Sequence, residues 1–153
     1  MVTFFDLSIL FSKRRLSRSI KSNEGYSEKV YLDQLGNRTI GYGHLITKKE
    51  NFENNRKYPK QLLTKIFNED MNKAVKIYNK LFHKHKFSDA TEEVIIEMIF
   101  QLGEKKFLKF GKTIKALKDK KFIIASREIL NSKMYKQVPR RVRSYAEILI
   151  KQA

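Results

Sequence analysis

Along most of this chain the apolar residues recur every three to four positions, but over residues 38–45 small and large side chains alternate with a period of two. The first period belongs to a helix with one buried face and the second to a half-buried strand. Val30, Tyr31 and Leu32 are strand formers; Leu35, Gly36 and Asn37 are a turn signal; residues 38–45 alternate small and large side chains. The segment reads as a hairpin with a further strand or turn after it. One such stretch inside an otherwise helical chain predicts an α+β fold, mostly helical, with a small antiparallel sheet near the N-terminal third.

The helical periods divide the remainder. Leu16 and Ile20 lie four apart within residues 13–24, and Gly25 is a natural helix stop. Residues 48–58 are polar and loop-like. Pro59 then opens a long helix, residues 60–81, whose apolar positions run from Leu62 to Leu81. Ser88 or Asp89 caps a helix over 89–102, and its nearly continuous apolar run at 94–100 marks it as the central core helix. Shorter helices are expected near 105–119 and 121–131, and Val138 and Pro139 start a last one. The plan is one domain of 153 residues: an extension (1–13), a sheet lobe (14–58), a connecting helix (59–81) and a helical lobe (82–153).

Charge is the strongest global feature, with 33 Lys and Arg against 16 Asp and Glu, net +17. Such an excess attracts polyanions: nucleic acid, anionic lipid or an anionic bacterial wall. With no cysteine, disulfides, thiol nucleophiles and cysteine-ligated zinc are excluded. His83 and His85 stand two apart, not at the helical spacing of a zinc pair, so no metal and no cofactor is expected. The apolar start, Val2 to Phe11, is interrupted by polar residues and followed by Lys13, Arg14 and Arg15, which is a poor secretion signal. It reads as an extra helical turn, or alternatively as a weak membrane-surface contact made by residues 1–15. A monomer made in the cytoplasm, without a recognisable signal peptide, is expected.

Three residues suggest chemistry. Glu24 sits in the last turn of a predicted helix, where the dipole opposes ionisation and favours a protonated acid. An ordinary exposed glutamate is the commoner reading. Asp33 and Thr39 lie symmetrically about Gly36, so a turn centred there sets them face to face across the hairpin. A carboxylate opposite a hydroxyl can hold a water, although a polar pair flanking a turn is commoner.

Taken together, Asn23, Glu24 and Gly25, then Tyr31 and Asp33, then residues 39–45 from Thr39 to Leu45 resemble the phage lysozyme family of the T-even phage type. Residues 67–70, 100–104 and 134–141 agree in order, so the resemblance covers roughly residues 16–150. It implies a muramidase that cuts the β-1,4 bond between N-acetylmuramic acid and N-acetylglucosamine in peptidoglycan, with inversion. Glu24 would be the general acid, and Asp33 and Thr39 would position the attacking water. Leu45, Phe100 and Thr113 would line the saccharide cleft. Arg141 matches an arginine that pairs with the catalytic glutamate, Gln101 a supporting residue, and His44 and Asp70 a structural ion pair. Action on the wall would then follow release from the cytoplasm, through a separate pore in a phage setting.

The chain departs from the family pattern in four places. The loop after His44 is shorter than in the type member, Glu128 replaces a sugar-contacting asparagine, Met134 replaces a buried tryptophan beside Gln101, and about a dozen residues are added at the start. Other readings are a lytic transglycosylase, a non-catalytic basic protein that binds wall or membrane, and a nucleic-acid-binding domain. The last has charge in its favour but no recognition motif, so no nucleic-acid partner is expected.

Overall fold

The computed structural model describes residues 15–153, which form two compact units, one through Lys73 and one from Ala74 onward. The apolar start and its suggested membrane contact fall largely outside the described residues.

In the first unit residues 15–24 are helical (α1), and Leu16 and Ile20 bury the face that the sequence predicts. Gly25 stops the helix: it takes φ +73° and donates its N–H to the Lys21 carbonyl at 3.2 Å. Three antiparallel strands follow in spatial order, β1 (Ser27–Leu32), β2 (Arg38–Gly41) and β3 (His44–Leu45). The loop over 46–59 is fastened to them. The Arg38 guanidinium donates to the Phe52 carbonyl at 2.6 Å, Tyr58 N–H donates to the Glu28 carbonyl at 3.0 Å, and the Phe52 and Tyr58 rings meet edge to face.

The register of the first hairpin differs from expectation. Thr39 pairs with Tyr31 and Leu32 with Arg38, so the turn centres on Leu35, not Gly36, and Asp33 faces Asn37. The Asp33 side chain causes this. Its Oδ1 accepts the N–H groups of Leu35 (2.9 Å) and Asn37 (2.8 Å), and its Oδ2 accepts from Asn37 Nδ2 at 3.2 Å. A carboxylate that caps its own turn closes the chain on Asn37 and leaves Gly36 the left-handed position, φ +80°. Asp33 follows directly on β1, two residues beyond the Tyr31–Thr39 pair.

Helix α2 (Lys60–Phe82) runs from the first unit into the second. In the first unit Leu63 and Phe67 are buried, and a Cβ placed on Gly41 would lie 3.3 Å from Leu63 Cβ, so the end of β2 rests directly on this helix.

The second unit is helical: α3 (Asp89–Phe107), α4 (Gly111–Lys118), α5 (Phe122–Leu130), α6 (Lys133–Gln137) and α7 (Pro139–Ile150). Ser88 caps α3 by accepting Thr91 N–H. Val94, Ile95, Ile96, Met98 and Ile99 are all buried, as a central core helix requires. Gly103 (φ 75°, ψ 164°) interrupts α3 at the predicted end. The helix expected over 105–119 therefore begins only at Gly111, after a last turn of α3. The short α6 has no counterpart in the sequence reading. Five residues are too few to display a period, and its cap, Ser132 accepting Tyr135 N–H, is its one local signal.

Candidate active site

The paired residues Tyr31, Thr39 and Leu45 form a row across the three strands, and directly opposed residues share a face. Thr39 is buried and its hydroxyl donates to the Asn37 carbonyl at 2.9 Å, whereas Leu45 is 44% exposed beside it. The Thr39 oxygen therefore keeps its lone pairs for an incoming donor. Asp33 extends the row at the turn, held by the three bonds that close that turn.

Glu24 is the last residue of α1, half-buried, and Gly43 lies against it. A Cβ on Gly43 would stand 2.7 Å from Glu24 Oε2 and 3.2 Å from its Cδ. Gly43 also has φ +82°, where L side chains are rare, so the β2–β3 turn brings bare backbone to the carboxylate. Tyr31 senses both acids. Burial pushes its phenol pKa up, and the charges of Glu24 and then Asp33 raise it further. Both charges therefore act on one phenol of the first strand.

His44 pairs with Ile40 and so takes the other face of the sheet. Its Nδ1 meets Asp70 of α2 at 2.7 Å, the pair expected from the sequence, and its Nε2 meets Glu50 at 2.9 Å, which the sequence did not suggest. The bond to Asp70 is the main cause of a raised His44 pKa; burial opposes it, and the Asp70 charge and Glu50 add to it. For Glu50 the largest influence, burial, acts upward, but the Thr47 N–H and His44 outweigh it, and the net shift is downward. Glu50 also accepts Thr47 N–H at 2.9 Å, so the imidazole is clasped between a helix and the loop that follows β3.

In the second unit Arg141 of α7 donates to Gln101 Oε1 of α3 at 2.7 Å, which brings the two expected supporting residues together. Phe100 is half-buried on α3, and Thr113 is buried on α4. Met134, where the family pattern has tryptophan, is buried, and Glu128 on α5 is partly exposed. Gly43 and Glu50 are the residues that sequence reasoning missed. Gly43 lay inside a stretch read as strand, and Glu50 in a loop without periodicity. Tyr31 was quoted only as part of a motif, but the charges of both Glu24 and Asp33 act on its phenol.

The phage lysozyme family profile matches residues 21–144, which includes Glu24, Asp33, Thr39 and Arg141. Two curated relatives from Dictyostelium discoideum are similar over most of their length. Probable T4-type lysozyme 2 is 30% identical, with 82% of this chain and 88% of the relative aligned. Probable T4-type lysozyme 1 is 28% identical, with 80% and 85% aligned. A helix-end glutamate backed by a bare glycine turn, an aspartate that closes the hairpin next to a buried threonine, and a family match across both units together lead to one conclusion: this chain belongs to the phage lysozyme family, whose members are glycosidases that act on peptidoglycan.

Proposed function

We propose that the protein is an inverting muramidase that cuts the β-1,4 bond between N-acetylmuramic acid and N-acetylglucosamine. The observation that carries this reading is the helix-end Glu24 carboxylate held against the bare Gly43 turn, together with an Asp33 carboxylate fixed at the turn of the hairpin whose Thr39 offers a hydroxyl oxygen. Glu24 gives its proton to the glycosidic oxygen as the bond to the anomeric carbon breaks. A water that donates to Asp33 and to Thr39 Oγ1 presents its own lone pair to that carbon from the opposite face. Its proton passes to Asp33, and the product is a free reducing end of inverted configuration. Asp33 is suited to this, because three donors orient it before substrate arrives.

Leu45, exposed next to Thr39, is proposed to contact the glycan, as are Phe100 and Thr113. Arg141, oriented by Gln101, is proposed as the supporting arginine of the site. The reading also takes the enzyme to act as a monomer on the wall after release from the cytoplasm. Glu24→Gln tests the acid directly. Clearing of purified walls should fall by about a hundredfold or more, since general acid catalysis contributes about 10²–10⁴-fold. Lysis at the wild-type rate would overturn the assignment. Cell killing that persists without wall cleavage would point instead to a non-catalytic basic protein.

A further inference from the structure

Nearly half of the net charge lies in one short stretch. Residues 105–121 hold eight lysines and one acid, Asp119, for +7 of the chain's +17. Two of these lysines are engaged within the fold. Lys118 Nζ lies over the Phe82 ring, and Lys120 Nζ lies over the Phe87 ring and donates to the Lys86 carbonyl. The other six, Lys105, Lys106, Lys109, Lys112, Lys115 and Lys121, are exposed, and no ion pair among the described residues includes them.

The same stretch and its continuation expose aliphatic side chains. Leu108 sits between Lys106 and Lys109 at 47% exposure, and Ile123 and Ile124 follow Lys121 at 55% and 43%. The chain is tight here. Leu108 N–H donates to the Glu104 carbonyl at 2.9 Å, and Lys121 N–H donates to the Ala116 carbonyl at 2.8 Å, which turns α5 back onto α4. A purely hydrophilic polyanion would satisfy the lysines and gain nothing from exposed leucine and isoleucine. A surface that offers phosphate groups above an apolar layer satisfies both.

We propose that residues 105–124 form a docking surface for anionic phospholipid bilayers, with the lysines on the headgroup phosphates and Leu108, Ile123 and Ile124 entering the headgroup–acyl boundary. The proposal uses residues 105–124 alone, and it stands independently of the glycosidase reading.

Sedimentation of the full chain with vesicles tests it. Wild type should bind vesicles of one-third phosphatidylglycerol in phosphatidylcholine and should not bind phosphatidylcholine alone. Replacing Lys106, Lys109 and Lys115 with Gln should weaken binding by about a hundredfold, from about fivefold per lysine near an anionic surface. Replacing Lys48, Lys49 and Lys73, also exposed, removes the same charge elsewhere and should weaken binding far less. Leu108→Ser with Ile123→Ser should weaken vesicle binding but leave binding to soluble polyphosphate unchanged. Equal losses in the two triple variants would overturn the location. Unchanged vesicle binding in the serine variant would overturn the lipid and identify a hydrophilic polyanion instead. Far-ultraviolet circular dichroism shows which variants are folded.

Discussion

Gly43 presents its bare α-carbon to the Glu24 carboxylate, so closely that a single methyl group there would overlap Oε2 at 2.7 Å. Gly43→Ala should therefore do two things. The left-handed backbone costs about 1–2 kcal/mol of stability in an L residue, and the displaced carboxylate should lower activity by tenfold or more. Gly103→Ala separates the two effects. Gly103 also has positive φ, but nothing lies within 4 Å of its Cβ position, so that variant should lose stability and keep its activity per folded molecule. Equal specific activity in both variants would show that Gly43 does not hold Glu24 in place.

The clasp on His44 should make stability depend on pH. Its folded pKa is raised above the ordinary 6.5, so its contribution is complete below that value and disappears as pH rises through the folded value. Glu50 has a lowered pKa, so its contribution holds above the ordinary 4.5 and is lost as pH falls through the folded value. The clasp is therefore strongest between those two ordinary values. Asp70→Asn should cost more than Glu50→Gln, because Asp70 makes the dominant bond. Losses of about 1–3 kcal/mol are expected for such part-buried charged hydrogen bonds. Urea unfolding at pH 5.5 and pH 9 should show both variants converging toward wild type at the higher pH.

The residues of this clasp also show how far the sequence could be read. His44 and Asp70 were legible through the family resemblance, which matches both to an ion pair. Glu50 was not legible, because its contact depends on how a polar loop folds back, and no spacing rule encodes that. The hairpin itself was predicted, but its register was off by one residue in the turn centre. The glycine drew the centre to itself, while the Asp33 side chain in fact governs the closure through bonds to Leu35 and Asn37. In the helical half, the apolar run of α3 was plain from residues 94–100, and the hydrogen-bonded turn that delays α4 to Gly111 was hidden by lysines that suit helix and surface equally.

The buried core of the second unit contains one acid, Glu97, which accepts from the Tyr145 hydroxyl at 3.0 Å, and both residues are buried. Tyr145→Phe removes one donor from an acid in a low-dielectric setting and should cost about 1–3 kcal/mol. Chemical denaturation should show a lower midpoint at unchanged slope. A midpoint equal to wild type would mean that the remaining partners of Glu97 suffice.

The cationic surface should make wall lysis sensitive to salt. With a Debye length of about 10 Å at 0.1 M ionic strength, attraction to an anionic wall weakens steeply as salt is added. Initial clearing rates should fall from 0.02 M to about 0.3 M NaCl, and a flat profile would remove charge from the account of wall binding.

The most direct measurement is mass spectrometry of peptidoglycan fragments released in ¹⁸O-labelled water. Attack by a water held at Asp33 and Thr39 predicts muramic acid reducing ends that carry one ¹⁸O, with almost none released by Glu24→Gln. Unlabelled 1,6-anhydro ends, or labelled ends released equally well without the Glu24 acid, would contradict it.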